Sequence, residues 1–166
     1  MLCSSPLKLS AKIMKKLAIA AVAALLSLPA LAHDYSVGAL KIGHPYSRAM
    51  PAASPTAAVF MTISNNGAAD RLLAVSTPQA ARAELHQHLN DNGVMRMREV
   101  AGGIALPAGS TVTLAPGGLH VMLLEVPKQA ASGERFPLQL QFEKAGKLTV
   151  EVKVESGMAP AHPAAH

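Results

Sequence analysis

The chain has almost no cysteine and very few aromatic side chains. Its 166 residues include one cysteine, Cys3, and no tryptophan, and Phe, Trp and Tyr together make up 3% of the sequence. A single cysteine excludes an internal disulfide framework and a site built from several thiolates. Histidine and methionine are better represented, with seven and eight copies. Any metal chemistry therefore has to use imidazole, thioether or carboxylate ligands.

A long apolar run is also absent. The run at residues 17–28 follows the basic Met14-Lys15-Lys16 and ends at Pro29-Ala30-Leu31-Ala32. A basic start, a short apolar stretch and a small-residue end are typical of a secretory signal peptide. A membrane-spanning helix needs about 20 apolar residues. We predict that residues 1–32 are upstream residues and a cleaved signal peptide, with the initiator at Met14 and the mature chain starting at His33.

Removal of that segment changes the charge of the protein. Four of the fifteen Lys and Arg residues lie in it, as does Cys3, so residues 33–166 keep 11 basic against 10 acidic side chains. The formal net charge of +5 falls to about +1. The basic composition then gives no reason to expect a nucleic-acid partner. All seven histidines and six methionines remain.

The remaining chain alternates apolar and polar residues with period two, which is typical of β-strands with one buried face. Turn residues such as those of 144–146 separate the alternating segments. We expect one all-β domain at residues 33–156, an antiparallel sandwich or barrel. The segment 157–166 (GMAPAHPAAH) shows no period and is predicted to be a flexible tail. The predicted strands are 37–42, 57–65, 71–76, 82–89, 94–100, 111–114, 119–126, 138–143 and 148–154.

Two consecutive predicted strands place histidine and methionine on one face. His86 and His88 alternate on the first strand, and Met95 and Met97 on the second. A loop at Asp91-Asn92 would pair His86 with Met97, whereas a loop one residue later would pair His88 with Met97. Both registers keep the four side chains on the same face, because they differ by two residues.

A third strand repeats the combination. In GGLHVMLLE, residues 117–125, two leucines and a valine share the core face, so His120 and Met122 are expected to face outward or into a cleft. The alternative for each single residue is ordinary packing, since methionine fills cores and histidine bonds locally. Two His/Met pairs in one small domain favour a shared site instead.

Imidazole and thioether together suit Cu(I) better than other common ions. Zn²⁺ gains little from thioethers, and Ca²⁺ and Mg²⁺ prefer oxygen ligands. The absence of thiolate excludes blue-copper and binuclear electron-transfer centres. A neutral set of two imidazoles and two thioethers is suited to carrying copper more than to redox catalysis.

These residues, in this order, resemble the periplasmic copper chaperones of the PCu(A)C family. The family pattern is a histidine, ten residues, a methionine, about twenty-one residues and then His-x-Met. Here ten residues separate His86 from Met97, and twenty-two separate Met97 from His120-Val121-Met122. The extra residue fits most easily into the turn at Gly102-Gly103. The segments KIGHPYSRAMP, GVMRMREV and LPAGSTVTLAPGGLHVML are also similar to the family, and the resemblance covers residues 36–154.

The resemblance implies a cupredoxin-like antiparallel β-sandwich with Greek-key connections. It implies a Cu(I) site formed by His86, Met97, His120 and Met122. It further implies a periplasmic, non-enzymatic chaperone that supplies copper to the Cu(A) subunit of cytochrome c oxidase beside a Sco-type thiol protein.

Other candidate ligands lie outside that set. His88 and Met95 are accessory candidates, and His33 would offer an α-amine beside its imidazole if cleavage follows Ala32. Some relatives carry His/Met tails, so a second copper, as Cu(II), could bind in the tail here; the alternative is a Pro/Ala tail with incidental histidines. The tail candidates are Met158, His162 and His166.

Two other functions remain open at this stage. One is passive copper sequestration for tolerance, which the sequence does not separate from delivery. The other is a small copper oxidase or monooxygenase using His33 and a second histidine. Thioether-rich sites favour Cu(I) too strongly for easy redox cycling, so this alternative is the weaker one.

Overall fold

The computed structural model describes residues 35–157, and its regular elements in that range are all β-strands. The all-β, cupredoxin-like prediction is confirmed. No helix in the described range is long and apolar enough to cross a membrane. The strands are β1 Tyr35–Val37, β2 Leu40–Arg48, β3 Thr56–Asn65, β4 Asp70–Ser76, β5 Arg82–Asp91, β6 Val94–Glu99, β7 Ile104–Leu106, β8 Thr111–Leu114, β9 Leu119–Leu124, β10 Arg135–Phe142 and β11 Lys147–Glu155.

Most strand predictions match these bounds to within a few residues, with two differences. The predicted strand 37–42 covers the end of β1 and the start of β2, which are separated by a turn with Gly38 at a φ of 57°. The short strand β7 was not predicted, because three residues between two turns give too little alternation to recognise.

The strands form one continuous hydrogen-bonded path in the order β6-β5-β9-β3-β2-β11-β10-β4-β7. β1 branches from β2 and β8 branches from β3. The pairs are antiparallel except for β2 and β11, which run parallel from Tyr46 beside Lys153 to Arg48 beside Glu155. The predicted antiparallel sandwich therefore contains one parallel junction. There β2, near the start of the described chain, pairs with β11, near its end.

The path folds over so that its two halves share one core. Leu85, Val121 and Leu123 from the β5–β9 half are in the same buried cluster as Leu138 and Leu140 from β10. At about 25 cal/mol per Å² of buried apolar surface, this cluster is the main source of the domain's stability. The opposite face of β5 and β9 is consequently free to carry other chemistry.

β3 determines where β9 lies. One edge of β3 pairs with β2, while the other edge pairs with β8 through residues 61–64 and with β9 through residues 56–59. The β8–β9 turn lies where β3 changes its partner from β8 to β9. In this turn Ala115 donates its N–H to the Leu119 carbonyl at 2.8 Å. Residues 121–124 of β9 are thus held between β3 and β5, whereas residues 119–120 pair with β5 alone.

Candidate metal centre

The β5–β6 hairpin sets the first His/Met contact. Its two-residue turn is Asn92-Gly93, with both residues at positive φ (51° and 87°), which is the geometry of a type I′ turn. Asp91 pairs with Val94, and His88 therefore lies opposite Met97. The later of the two predicted registers is the observed one.

The β5–β9 pairing brings the second His/Met strand alongside. His86 lies directly opposite His120, and Glu84 lies opposite Met122. Met97 on β6 and Met122 on β9 each lie two residues away from the position directly opposite His86. They are therefore its diagonal neighbours, one on each flanking strand. Such diagonal positions are about 7–8 Å apart, within reach of a long side chain. The backbone therefore surrounds His86 with the other three predicted ligands.

The imidazole rings of this site form a compact group. The ring centroids of His86 and His120 are 6.0 Å apart, and His88 stacks on His120 at 4.9 Å with an angle of 26° between the planes. A ring centroid lies roughly 3 Å from a metal bound to one of its nitrogens. The His86–His120 separation is therefore compatible with two rings that share one ion.

Of the two positions predicted for His120, outward or in a cleft, the structure has the enclosed one. It lies on the face opposite the core, yet only 2% of the residue is exposed. The rings of His86 and His88 lie beside it on one side, and Phe60 lies 6.4 Å away on the other. Period-two alternation identifies the face of a strand but not what covers that face, so the sequence did not decide between the outward position and the cleft.

Hydrogen bonds fix which nitrogen His120 presents. Its Nδ1 is 3.0 Å from the Gly118 carbonyl oxygen, which also accepts the backbone N–H of His88 at 3.2 Å. A carbonyl only accepts, so Nδ1 carries the proton and Nε2 keeps its lone pair. Burial lowers the pKa of His120 below its ordinary value of 6.5, and the nearby His88 and His86 add to this, against the opposing effect of the Gly118 bond. A neutral imidazole is the form that binds a metal.

Two further imidazole nitrogens have no partner. Nδ1 of His86 and Nδ1 of His88 are both buried without a hydrogen-bond partner in the described structure. A buried polar atom left unpaired costs about 1–3 kcal/mol, so such atoms call for an explanation. A metal bound to Nδ1 of His86 would give this atom the partner that it lacks. Nδ1 of His88, which was predicted only as an accessory ligand, is buried without a partner as well.

The methionines differ in exposure. Met122 is half-buried, whereas Met97 is 45% exposed and Met95 58% exposed on the edge strand β6. Met95 lies opposite Asn90, farther from the imidazoles than Met97. Neither methionine of β6 packs in the core, so the packing alternative does not account for them.

No three His, Cys, Asp or Glu side chains within residues 35–157 are placed to hold a metal ion by themselves. Methionine sulfur is outside that class of donor. The four predicted ligands supply two imidazoles and two thioethers, so the candidate centre depends on both residue types together.

Glu84 was not among the residues predicted for the site, although the Glu-x-His spacing puts it on the same face as His86. Its Oε2 is 2.9 Å from Nε2 of His86, and its Oε1 is 3.2 Å from a guanidinium nitrogen of Arg82. The sequence signal for this contact was the alternation of Glu84 with His86. The predicted candidates His33, Met158, His162 and His166, like the predicted signal peptide, lie outside the described residues.

A family model matches most of the chain. The family model described as "Putative lipoprotein LpqE-like" matches residues 40–154, a range that contains all four predicted ligands. Lxx21020 of Leifsonia xyli subsp. xyli, described as a "Putative lipoprotein", is 33% identical over 105 residues, which are 63% of each chain. The protein RP573 of Rickettsia prowazekii is 28% identical over 101 residues, 61% of this chain and 56% of its own. The chain thus spans about three fifths of the length of these relatives.

Solved structures with the same fold include copper-bound examples. The copper-bound PCuAC domain from PmoF2 is 34% identical with a TM-score of 0.64, over 75% of this chain and 98% of that domain. The apo PCuAC domain from PmoF1 is 32% identical with a TM-score of 0.64, over 75% and 99%. The Cu(I) form of DR1885 from Deinococcus radiodurans is 26% identical with a TM-score of 0.57, over 76% and 83%. From the match to residues 40–154 and the near-complete coverage of the PmoF domains, the chain belongs to the LpqE-like family, and the part of it that the structure describes is a PCuAC domain.

Proposed function

We propose that this domain binds one Cu(I) ion through His86, Met97, His120 and Met122 and acts as a copper chaperone. The observation that carries the proposal is the buried Nδ1 of His86, which has no hydrogen-bond partner among the described residues, in a ring whose centroid is 6.0 Å from that of His120, with a methionine diagonal to His86 on either neighbouring strand. Two neutral imidazoles and two thioethers are a soft, uncharged set, which favours Cu(I) over Zn²⁺ or Ca²⁺. The copper-bound structure of the PmoF2 domain supports copper as the ligand, and the structure of Cu(I)-DR1885 supports the Cu(I) state.

The position of the site favours transfer over permanent storage. Met97 lies on the edge strand β6, and all six residues of that strand are exposed. A ligand on the outside of an edge strand is accessible to an incoming protein ligand, whereas the buried His120 is not. A ligand of the receiving protein could therefore replace Met97 on the copper first, while the imidazoles still hold the ion.

We further propose that the protein is exported to the periplasm through the signal peptide at residues 1–32 and hands its copper to the Cu(A) subunit of cytochrome c oxidase. A Sco-type thiol protein would act beside it. These assignments rest on the family resemblance and on the signal-like pattern of the first 32 residues. A copper carrier with no cysteine after cleavage requires such a thiol-bearing partner for any disulfide chemistry at the acceptor.

An anaerobic competition titration with a chromogenic Cu(I) chelator tests the ligand set. We expect the mature protein to bind one Cu(I) tightly and Met97→Leu/Met122→Leu to lose at least tenfold in affinity, because leucine fills the space without a donor atom. Met95→Leu is the matched control, since Met95 lies on the same face of the same strand. We expect it to remain within about threefold of wild type, and a protein ending at Gly157 to do the same.

Equal affinity of the double variant and wild type would contradict the proposed site. Loss only in the protein ending at Gly157 would move the copper site to the tail. For delivery, copper-loaded protein would be mixed with a soluble Cu(A) domain whose cysteines are reduced. Appearance of copper on that domain supports the chaperone role, and retention at this protein under equal concentrations supports sequestration.

A further inference from the structure

Each carboxylate oxygen of Glu84 contacts one neighbour. Oε2 contacts Nε2 of His86 at 2.9 Å, and Oε1 contacts Arg82 at 3.2 Å. The side chains of Glu84 and His86 are only 22% and 15% exposed, so solvent screens this contact weakly. A carboxylate oxygen only accepts, which means that Nε2 of His86 carries the proton in this contact.

That bond determines which atom of His86 is available. In a neutral imidazole, protonation of Nε2 leaves the lone pair on Nδ1. Nδ1 is the buried His86 atom that has no partner in the described structure. His120 is arranged the opposite way, with Nδ1 bonded to Gly118 and Nε2 free. The two imidazoles of the site thus present different nitrogens, each fixed by its own acceptor.

A second ion pair holds Glu84 in place. Nε of Arg82 contacts Oε1 of Glu125 at 3.1 Å, so the guanidinium bridges Glu125 and Glu84. Glu125 directly follows β9, and its φ of 56° is unusual for a residue other than glycine. The chain Glu125–Arg82–Glu84–His86 connects the end of β9 to the start of β5. It also keeps both oxygens of Glu84 engaged, so the carboxylate does not compete as a hard ligand.

We propose that Glu84, held by Arg82, is a positioning residue that makes His86 bind Cu(I) through Nδ1. This inference rests on the proposed function, because it concerns the same site. Carboxylates that hydrogen-bond a ligating histidine fix its tautomer and increase its basicity, and their loss typically costs about 10- to 100-fold in metal affinity. Glu84 contributes in this way without touching the metal.

Glu99 provides a matched control. It lies directly opposite His86 on β6, as His120 does on β9, and it is exposed. Glu84 contacts His86 in the structure, and Glu99 has no side-chain hydrogen bond or ion pair to it among the described residues. Glu84→Leu and Glu99→Leu therefore remove the same charge next to the same histidine, but only the first removes the hydrogen bond.

The first measurement is the tautomer of His86 in copper-free, ¹⁵N-labelled protein at pH 8, read from long-range ¹H–¹⁵N NMR spectra. We expect the Nε2–H tautomer in wild type and in Glu99→Leu, and a mixture with the Nδ1–H tautomer in Glu84→Leu. Comparison with the His86→Gln spectrum assigns the signals. A residue with a purely structural role would not shift this equilibrium.

The second measurement is Cu(I) affinity by chelator competition. We expect a loss of about 10- to 100-fold for Glu84→Leu, less than threefold for Glu99→Leu, and partial recovery in Glu84→Gln, whose amide oxygen still accepts from Nε2. The glutamine variant also keeps the test informative if leucine disturbs the fold. An unchanged tautomer in Glu84→Leu, or equal losses in the two leucine variants, would overturn the inference while wild type still bound Cu(I). Failure of wild type itself to bind Cu(I) would overturn both this inference and the proposed function.

Discussion

His120 combines packing and binding in one side chain. It lies between the rings of His86, His88 and Phe60, with 2% of its surface exposed and Nδ1 bonded to Gly118. The alternation of residues 119–123 was enough to predict that it lies on the face opposite the core. It was not enough to predict the burial, because the rings that cover His120 come from β3 and β5, distant in sequence.

At this scale we expect two substitutions of His120 to separate the roles. His120→Ala leaves a cavity among the rings and should lower the free energy of unfolding of copper-free protein by about 1–3 kcal/mol. His120→Leu keeps most of the volume and should remain within about 1.5 kcal/mol of wild type. Both should lose tight Cu(I) binding, since neither supplies a nitrogen. Urea unfolding and chelator competition measure the two effects, and tight Cu(I) binding by His120→Leu would remove this residue from the site.

The contacts of Glu84 are a second feature of a single residue that the sequence could not predict. The sequence places it two positions before His86, on the same face, but gives no reason to prefer it over any other exposed carboxylate. Its role depends on Arg82 and Glu125, which come together only when β5 pairs with β9. The proposed ligands therefore follow from a recognisable spacing in the sequence, whereas the residue proposed to orient His86 does not.

The β5–β6 hairpin is the element that decides how the site is assembled. The sequence allowed two registers, and both kept histidine and methionine on one face because they differed by two residues. The structure selects the Asn92-Gly93 turn, in which both residues adopt positive φ. Asn-Gly is a strong signal for this turn, but it competed with an Asp-Asn pair one residue earlier.

We expect the turn to influence copper binding from a distance. Gly93→Val places a β-branched residue at a φ of 87° and should therefore fray the end of the hairpin. Copper binding would then have to restore the ordered hairpin around Met97. A penalty of about 1 kcal/mol corresponds to roughly fivefold weaker Cu(I) binding. Gly109→Val is the control, because Gly109 also has a positive φ (66°) and open space around it but lies in the β7–β8 turn. Equal Cu(I) affinities of the two variants in chelator competition would contradict this coupling.

At the scale of the whole molecule, Asp70 joins two distant parts of the domain. It begins β4, and its carboxylate accepts the backbone N–H groups of Lys144 and Ala145 in the β10–β11 turn at 2.9 and 3.0 Å. Partial burial raises the pKa of Asp70, but the backbone bonds from Lys144, Arg71 and Ala145 outweigh it and hold the pKa below its ordinary value of 3.8. The β10–β11 hairpin was predictable from its alternation, whereas its attachment to β4 was not.

This attachment should make stability depend on pH. A carboxyl group whose pKa is lower in the folded state stabilises that state above its unfolded pKa and loses the contribution as pH falls through the folded pKa. We expect Asp70→Ala to cost about 1–2 kcal/mol at pH 7 and the difference from wild type to shrink below about pH 3.8. Urea unfolding of both proteins at pH 7 and pH 3 measures it. Glu143→Ala, which removes an exposed carboxylate from the same turn, is the control, and a difference that stays constant with pH would contradict the assignment.

The parallel pairing of β2 and β11 has a consequence for how the molecule folds. Tyr46 and Lys153 lie more than a hundred positions apart in the chain, so this junction closes a very large loop. Proteins dominated by such distant pairings fold in milliseconds to seconds, far more slowly than those with local contacts. β5, β6 and β9, which carry the four proposed ligands, all precede β11 in the chain, yet β9 is anchored through β3 to β2, the strand that β11 must join. The proposed copper ligands therefore lie in a sheet whose closure requires two strands from opposite ends of the domain to meet.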